Sequence, residues 1–240
     1  MLEIRKVLAV LNEFESMDLV LKKGMALAAK ESAFLEVMFV HETPIFDRVE
    51  YFRFKEEPPL QEIDPEKVRQ EIVKKLADIG APETTLVEIF LDDTVDQVLE
   101  ATKREKAMLI LIAHHNSIAK KLAKESRLPV LVFKREDASA YENIVVPFDF
   151  SEASKVGVDL ALKLFDKESI TLVHDFRYVV MKGYADPEGL VLPYIDMEIS
   201  DVEQKVQEEE LQAYAKEKGV RSRLIVQKGS VAEDLIKDIE

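Results

Sequence analysis

The most restrictive feature of this 240-residue chain is that one order of elements occurs twice. Lys6–Leu11 (KVLAVL) is a short apolar run rich in Val and Leu, as a parallel strand buried on both faces requires. Ser16 then precedes Met17, Val20, Leu21, Gly24, Leu27 and Ala28 at helical spacing, which predicts a helix with Ser16 as N-cap. A second apolar run, 35–40, ends at His41, and the three-proline stretch 43–63 reads as a long connection. Asp64-Pro65 opens another helix, with Val68, Ile72, Leu76 and Ile79 inward and Gly80 as its stop. Strand 85–91 follows, then the capping box Thr94-x-x-Gln97, strand Met108–Ala113, helix 117–125 and strand 129–133. Strand and helix alternate throughout, so the class is α/β with a parallel sheet and helices on its faces.

After the polar stretch 135–140 the order restarts. Residues 143–148 (NIVVPF) match the first strand, and Ser151-Glu-Ala-Ser154 caps a helix carrying Val158, Ala161, Leu162 and Phe165. Strand 170–173 runs into His174, as the earlier one runs into His41, and 176–200 reads as a second long connection. Ser200-x-x-Glu203 predicts a helix start, Gly219 its stop, 223–226 the third strand, and Ser230-x-x-Glu233 repeats the box at Thr94, so that Val231 aligns with Val95. A repeat of this length is a duplicated domain and not a solenoid. No counterpart of the fourth strand, the next helix or the fifth strand appears before residue 240. The first strand of the second copy would then have one apolar edge open, which predicts either a shortened chain or an edge covered by another chain.

Composition narrows the chemistry. With no cysteine, disulfides, thiolate metal sites and thiol nucleophiles are excluded. A net charge of −14 argues against nucleic acid or an anionic membrane as partner. No pair among the seven glycines has the spacing of GxGxxG or GxxxxGK[ST], so the dinucleotide fingerprint and the P-loop are absent. No apolar run approaches the ~20 residues of a membrane span, and the N-terminus enters a strand directly with no room for a signal peptide. The expectation is an acidic cytoplasmic protein.

The segment Ile144-Val-Val-Pro-Phe-Asp149-Phe-Ser151-Glu-Ala-Ser154, with Thr171-Leu-Val-His174 after its helix, resembles the opening of a universal stress protein domain. Leu128-Pro-Val-Leu-Val-Phe133 resembles that family's closing strand. With the duplication, the resemblance spans nearly the whole chain and implies a tandem protein of the stress-response type. It implies two Rossmann-like (flavodoxin-like, HUP-type) sheets in strand order 3-2-1-4-5, the second lacking its last strands. Family members often pair through the fifth strand, and some bind ATP. In those, an acid ending the first strand contacts the nucleoside, while a Gly-x-x-Gly loop after the fourth strand and a later Gly-Ser/Thr wrap the phosphates. Glycines there let backbone N–H groups approach an anion at the ends of the strands.

The first copy departs from that pattern at both places. Asn12 stands for the acid, and His114-His115-Asn116-Ser117 replaces the glycine loop. The first domain is therefore expected not to bind ATP in the family manner. The second copy keeps Pro147 and Asp149, the nucleoside end, but no phosphate loop, so ATP could find at best half a site there. Asp149 also has a plainer reading, as an acid serving the turn and cap at Ser151, and that one is favoured.

Other candidates carry less. His114 and His115 are adjacent and lack the i, i+4 spacing of a helical metal pair, so loop histidines without a metal are expected. His41 and His174 read as equivalent, inherited structural residues. No serine lies in a G-x-S-x-G elbow, and Glu208-Glu209-Glu210 reads as a solvated helix face. The aromatics Phe46, Tyr51, Phe52 and Phe54, and Phe176, Tyr178, Tyr184 and Tyr194, are expected to pack back over their own sheets. High Glu and Lys content with few glycines hints at a thermophile.

The sequence thus predicts two domains, 1–135 and 141–240, packed as a pseudo-dimer, with no enzymatic activity, no cofactor and no metal. Function is expected through protein contacts, with Pro129, Val130, Leu131, Val132 and Phe133 as the pairing strand of a homodimer. Two alternatives stand beside it: an adenine-nucleotide sensor using Asp149, Pro147 and Asn12, and the regulatory domain of an ion transporter.

Overall fold

The computed structural model describes residues 3–41, 63–104, 108–113, 116–134, 141–178, 180–185, 191–195 and 197–239. They fall into two units, residues 3–138 and 139–240.

The first unit is a parallel sheet of β1 (Lys6–Leu11), β2 (Phe34–Val40), β3 (Leu86–Phe90), β4 (Met108–Ala113) and β5 (Val130–Phe133), in the order β3-β2-β1-β4-β5. Its helices are α1 (Met17–Glu31), α2 (Pro65–Asp78), α3 (Thr94–Arg104) and α4 (Asn116–Glu125). β1 and β4 are central and buried on both faces, which is why they read as unbroken apolar runs. One face buries Leu8, Val10, Met38 and Val40 with Val98 of α3 and Leu122 of α4. Each such side chain stabilises the fold by about 1.5–3 kcal/mol. The other face takes α1, which approaches closely at Gly24: a Cβ there would stand 3.1 Å from Leu35 and 3.6 Å from Leu111. Glu36 is the one charge buried in β2, and Lys6 Nζ meets its Oε2 at 2.7 Å.

The second unit repeats the first half of this plan. β6 (Ile144–Pro147), β7 (Ile170–Phe176) and β10 (Arg221–Val226) form a parallel sheet in the order β10-β7-β6, the same arrangement as β3-β2-β1. α5 (Glu152–Leu164) and α6 (Met197–Lys218) help to enclose its core around Val158, Leu172 and Leu211, and α7 (Val231–Ile239) follows β10. The duplication extends to local geometry. Gly80 and Gly219 both have φ of +73°, and each closes its helix with the same pair of backbone bonds: Gly80 N–H to Ala77 O and Ala81 N–H to Leu76 O, Gly219 N–H to Lys216 O and Val220 N–H to Ala215 O. That left-handed stop is open to glycine at little cost.

Several sequence expectations need correction. The stretch 176–200 is not simply a connection: β8 (Val180–Ala185) and β9 (Val191–Ile195) form an antiparallel hairpin within it. Pro193 and a register shift interrupt the alternation that would have announced these strands. α6 starts at Met197, which places Ser200, fully buried, within its first turn and not at its N-cap position. The cap of α3 is Asp93, whose Oδ1 accepts the Asp96 N–H at 2.9 Å, and Thr94 is the first buried helical residue. Ser16 occupies the N-cap position of α1 without a side-chain cap bond. The box at Ser230 does form, each partner bonding the other's backbone N–H at 3.3 Å. Matching the caps Asp93 and Ser230 sets Val231 against Thr94 instead of Val95. Phe46, Tyr51, Phe52 and Phe54 lie outside the described residues, as do His114 and His115. Tyr184 and Tyr194 lie on β8 and β9, and Phe176 is buried with the Tyr178 ring edge-on at 5.9 Å.

Candidate functional site

Each unit ends its first strand in a turn that leads into a helix N-terminus, the place where α/β sheets hold ligands. In the first unit that place holds Asn12, Phe14 and Ser16. Phe14 lies against Phe39 with ring centroids 5.3 Å apart, and Asn12 Oδ1 and Ser16 Oγ are buried without a hydrogen-bond partner among the described residues. A neutral amide thus stands where a ligand-binding acid was looked for.

In the second unit the same position opens into a cleft of about 350 Å³ beyond the ends of β6 and β7. Pro147, Phe148, Asp149, Val173, His174 and Asp175 line it from the strands, Ser151 and Ser154 from the start of α5, and Val231 and Leu235 from α7. Asp149 is held by the helix cap: its Oδ1 accepts the Ser151 hydroxyl at 2.5 Å and the Ser151 N–H at 3.1 Å, while Ser151 Oγ accepts the Ser154 N–H at 3.2 Å. The Ser151 hydroxyl, with help from Ser154, holds the Asp149 carboxyl down at about 2. Between them Phe150 takes a left-handed φ of 63°, a conformation that costs a side-chain-bearing residue about 1–2 kcal/mol. Ring contacts hold it there, with Phe148 at 5.1 Å and His174 at 4.9 Å.

His174 ties the cleft wall together. Its Nδ1 lies 2.7 Å from Phe148 O and its Nε2 2.7 Å from the Gln207 side chain, whose Nε2 donates to Glu203 at 3.0 Å. A backbone carbonyl can only accept, so Nδ1 carries a proton. The two histidines expected to be equivalent are not. His41 follows the last residue of β2, whereas His174 lies inside β7. With Asn12 matched to Asp149, the pairings Val10 with Met38 and Pro147 with Val173 put His174 level with Phe39. An aromatic neighbour, Phe14 or Phe150, packs on each.

Asp175 and Asp234 are the acids that sequence reasoning passed over; nothing in their spacing marks them. Asp234 is buried and accepts the N–H groups of Lys228 and Gly229, both at 2.8 Å, which lowers its pKa. Both Asp175 oxygens are buried without a hydrogen-bond partner among the described residues, and desolvation, with the nearby Asp234 charge, raises its pKa. A carboxylate held this way opposes folding once ionised. The penalty is absent below the unfolded value near 3.9, grows as pH rises above it, and levels off above the raised native value. Asp175→Asn is therefore expected to raise the midpoint of thermal unfolding at pH 7 by about 2–4 °C and to have no effect near pH 3. A lower midpoint at pH 7 would mean that the carboxylate has a partner. No group of three or more metal-ligating side chains occurs among the described residues, and none of their helices is long and apolar enough to cross a membrane.

These features define a tandem of doubly wound α/β units with a cleft at the strand ends of the second. No family model matches the sequence, and no curated protein matches it. Solved structures do. A universal stress protein from Archaeoglobus fulgidus DSM 4304 aligns with 98% of this chain and 82% of its own, at 15% identity and a TM-score of 0.54. A functionally unknown protein from Pseudomonas aeruginosa PAO1 aligns with 98% of this chain and 78% of its own, at 14% identity and a TM-score of 0.60. The chain has the universal stress protein fold, complete in the first unit and running in the second as far as the helix after its third strand.

Proposed function

We propose that the chain is a stress-response regulatory module of the universal stress protein type, cytoplasmic and non-enzymatic, acting through protein contacts. One observation carries this reading: Asp149, the acid retained at the nucleoside position, is committed to the Ser151 turn. Among its described lining residues the cleft has Asp149 and Asp175 and no lysine or arginine, an electrostatic setting that disfavours phosphates. Regulation through contacts then falls to exposed strand edges. β5 is an edge strand with Val130, Leu131 and Val132 half-buried, which supports 129–133 as the pairing strand of a homodimer.

A second reading, an adenine-nucleotide sensor working through the second unit, is favoured by the existence of the cleft itself. Calorimetric titration of the full chain with ATP and AMP separates the two. The expected result is no saturable binding tighter than about 1 mM, and a Kd below about 100 µM for either nucleotide would establish the sensor instead. Sedimentation of the same sample tests the pairing strand, with a dimer expected and a strict monomer at high concentration counting against it.

A further inference from the structure

The outer face of α6 carries what a helix on the surface of a sheet ordinarily keeps inside. Its inner face buries Ser200, Leu211 and Ala215, the last two in the core of the second unit. On the opposite side Ile199 is 43% exposed, Val202 62% and Val206 44%. Residues three and four apart on a helix are surface neighbours, so these three form one apolar stripe along about two turns. Single exposed apolar residues are ordinary, but a continuous stripe turned away from the sheet marks a place where something docks.

The matching helix of the first unit, α2, exposes one large apolar residue, Val73. Setting Gly80 level with Gly219 places Leu76 against Ala215 and Ile72 against Leu211, all four buried. Val206 then answers Lys67, which is exposed and paired with Asp64 at 3.5 Å. α2 begins at Pro65, the counterpart of Gln204, so α6 starts about two turns earlier, and Ile199 and Val202 lie on that extension. α6 packs on β10 and β7, and the stripe faces away from both. It is therefore no part of the core that the two units share.

Charge selects the occupant. From Glu198 to Glu210 the exposed charged residues are the acids Glu198, Asp201, Glu209 and Glu210 and a single base, Lys205. Glu198 stands four residues before Val202, and Glu209 and Glu210 stand three and four after Val206, so acids adjoin the stripe at both ends. A second copy seated there would set this acidic face against itself, which repels. Lysine or arginine beside an apolar stripe answers both features. We propose that the outer face of α6 docks a basic amphipathic helix of another protein. Its apolar residues would cover Ile199, Val202 and Val206, and its cations would meet the flanking acids. This face is separate from the pairing strand 129–133, which lies in the first unit.

A labelled peptide of about 18 residues, with Leu at helical spacing and Lys at the remaining positions, serves as the probe. Titrated into the full chain and followed by fluorescence anisotropy, it is expected to bind saturably with a Kd below about 100 µM. Val202→Glu separates docking from the general attraction between a cationic peptide and an acidic chain. It adds an acid but breaks the stripe, and it is expected to weaken binding about tenfold. Val73→Glu, at the exposed apolar site on α2, should not weaken it. A peptide of the same composition with its leucines scattered should bind about tenfold more weakly, and Glu209→Gln combined with Glu210→Gln should weaken binding about threefold. Absence of saturable binding, equal binding by the scattered peptide, or unchanged or tighter binding by Val202→Glu would each overturn the proposal. So would a dimer of the chain alone that Val202→Glu converts to monomer in sedimentation, since the stripe would then seat a second copy.

Discussion

Ile110→Ala is expected to lower the unfolding free energy of the protein by about 2–5 kcal/mol, measured by urea denaturation with an unchanged slope. Ile110 is fully buried in β4, paired with Leu8 on one side and Val130 on the other. Its side chain lies in the cluster that joins β1, β2, β4, α3 and α4, so the space it vacates cannot be filled by the movement of one neighbour. Loss of the apolar atoms and creation of a cavity act in the same direction. A cost under about 1 kcal/mol would mean that β4 is not central to the first sheet.

His174→Ala is expected to cost about 2–4 kcal/mol, because Phe148 O and Gln207 Oε1 each lose the ring nitrogen they face, a loss worth ~1–3 kcal/mol for a polar group held out of water. The left-handed turn at Phe150 also loses the ring that packs against it. His174→Phe separates these effects, since Phe39 shows that an aromatic ring is accepted at this level of the sheet in the first unit. Recovery of less than half the loss by His174→Phe is expected. Nearly full recovery would show that ring packing, and not the bonds to Phe148 and Gln207, stabilises the wall of the cleft. Thermal unfolding of the two variants side by side decides between them.

Much of the fold was legible because its signals are local or periodic. KVLAVL and MLILIA announce central parallel strands, since a strand covered on both faces has no polar side to show. Asp64-Pro65 and Gly80 mark the ends of one helix through φ constraints and capping bonds made within a few residues, and Gly219 repeats the stop. Caps were less legible than helices. Thr94-x-x-Gln97 and Ser200-x-x-Glu203 both match the box, yet Asp93 takes the first cap, and in the second case the helix begins three residues earlier. A matching spacing cannot say which of two neighbouring polar residues turns toward the free N–H groups.

The candidate site was legible in part. Asp149 was identified with both of its roles, and the bonds to Ser151 favour the turn. Asp175, Asp234 and Gln207 were invisible, because what distinguishes them is burial beside groups far away in the chain. Asp175 and Asp234 are 59 positions apart in sequence and interact through space. The match of His41 to His174 failed for the same reason, since only strand pairing shows which residues stand level across a sheet.

By itself the sequence determined the class of the molecule: alternating strands and helices in a parallel α/β plan, occurring twice, with no cysteine chemistry and no glycine cradle for phosphates. Those properties depend on residue type and short-range spacing, and the chain carries both on its surface. Tertiary structure alone decided which carboxylates lie out of water, that Phe14 packs on Phe39 at one strand end, and that the other strand end opens into a cleft. Burial and electrostatic coupling depend on distances between residues remote in sequence, and those distances exist only once the sheets have formed.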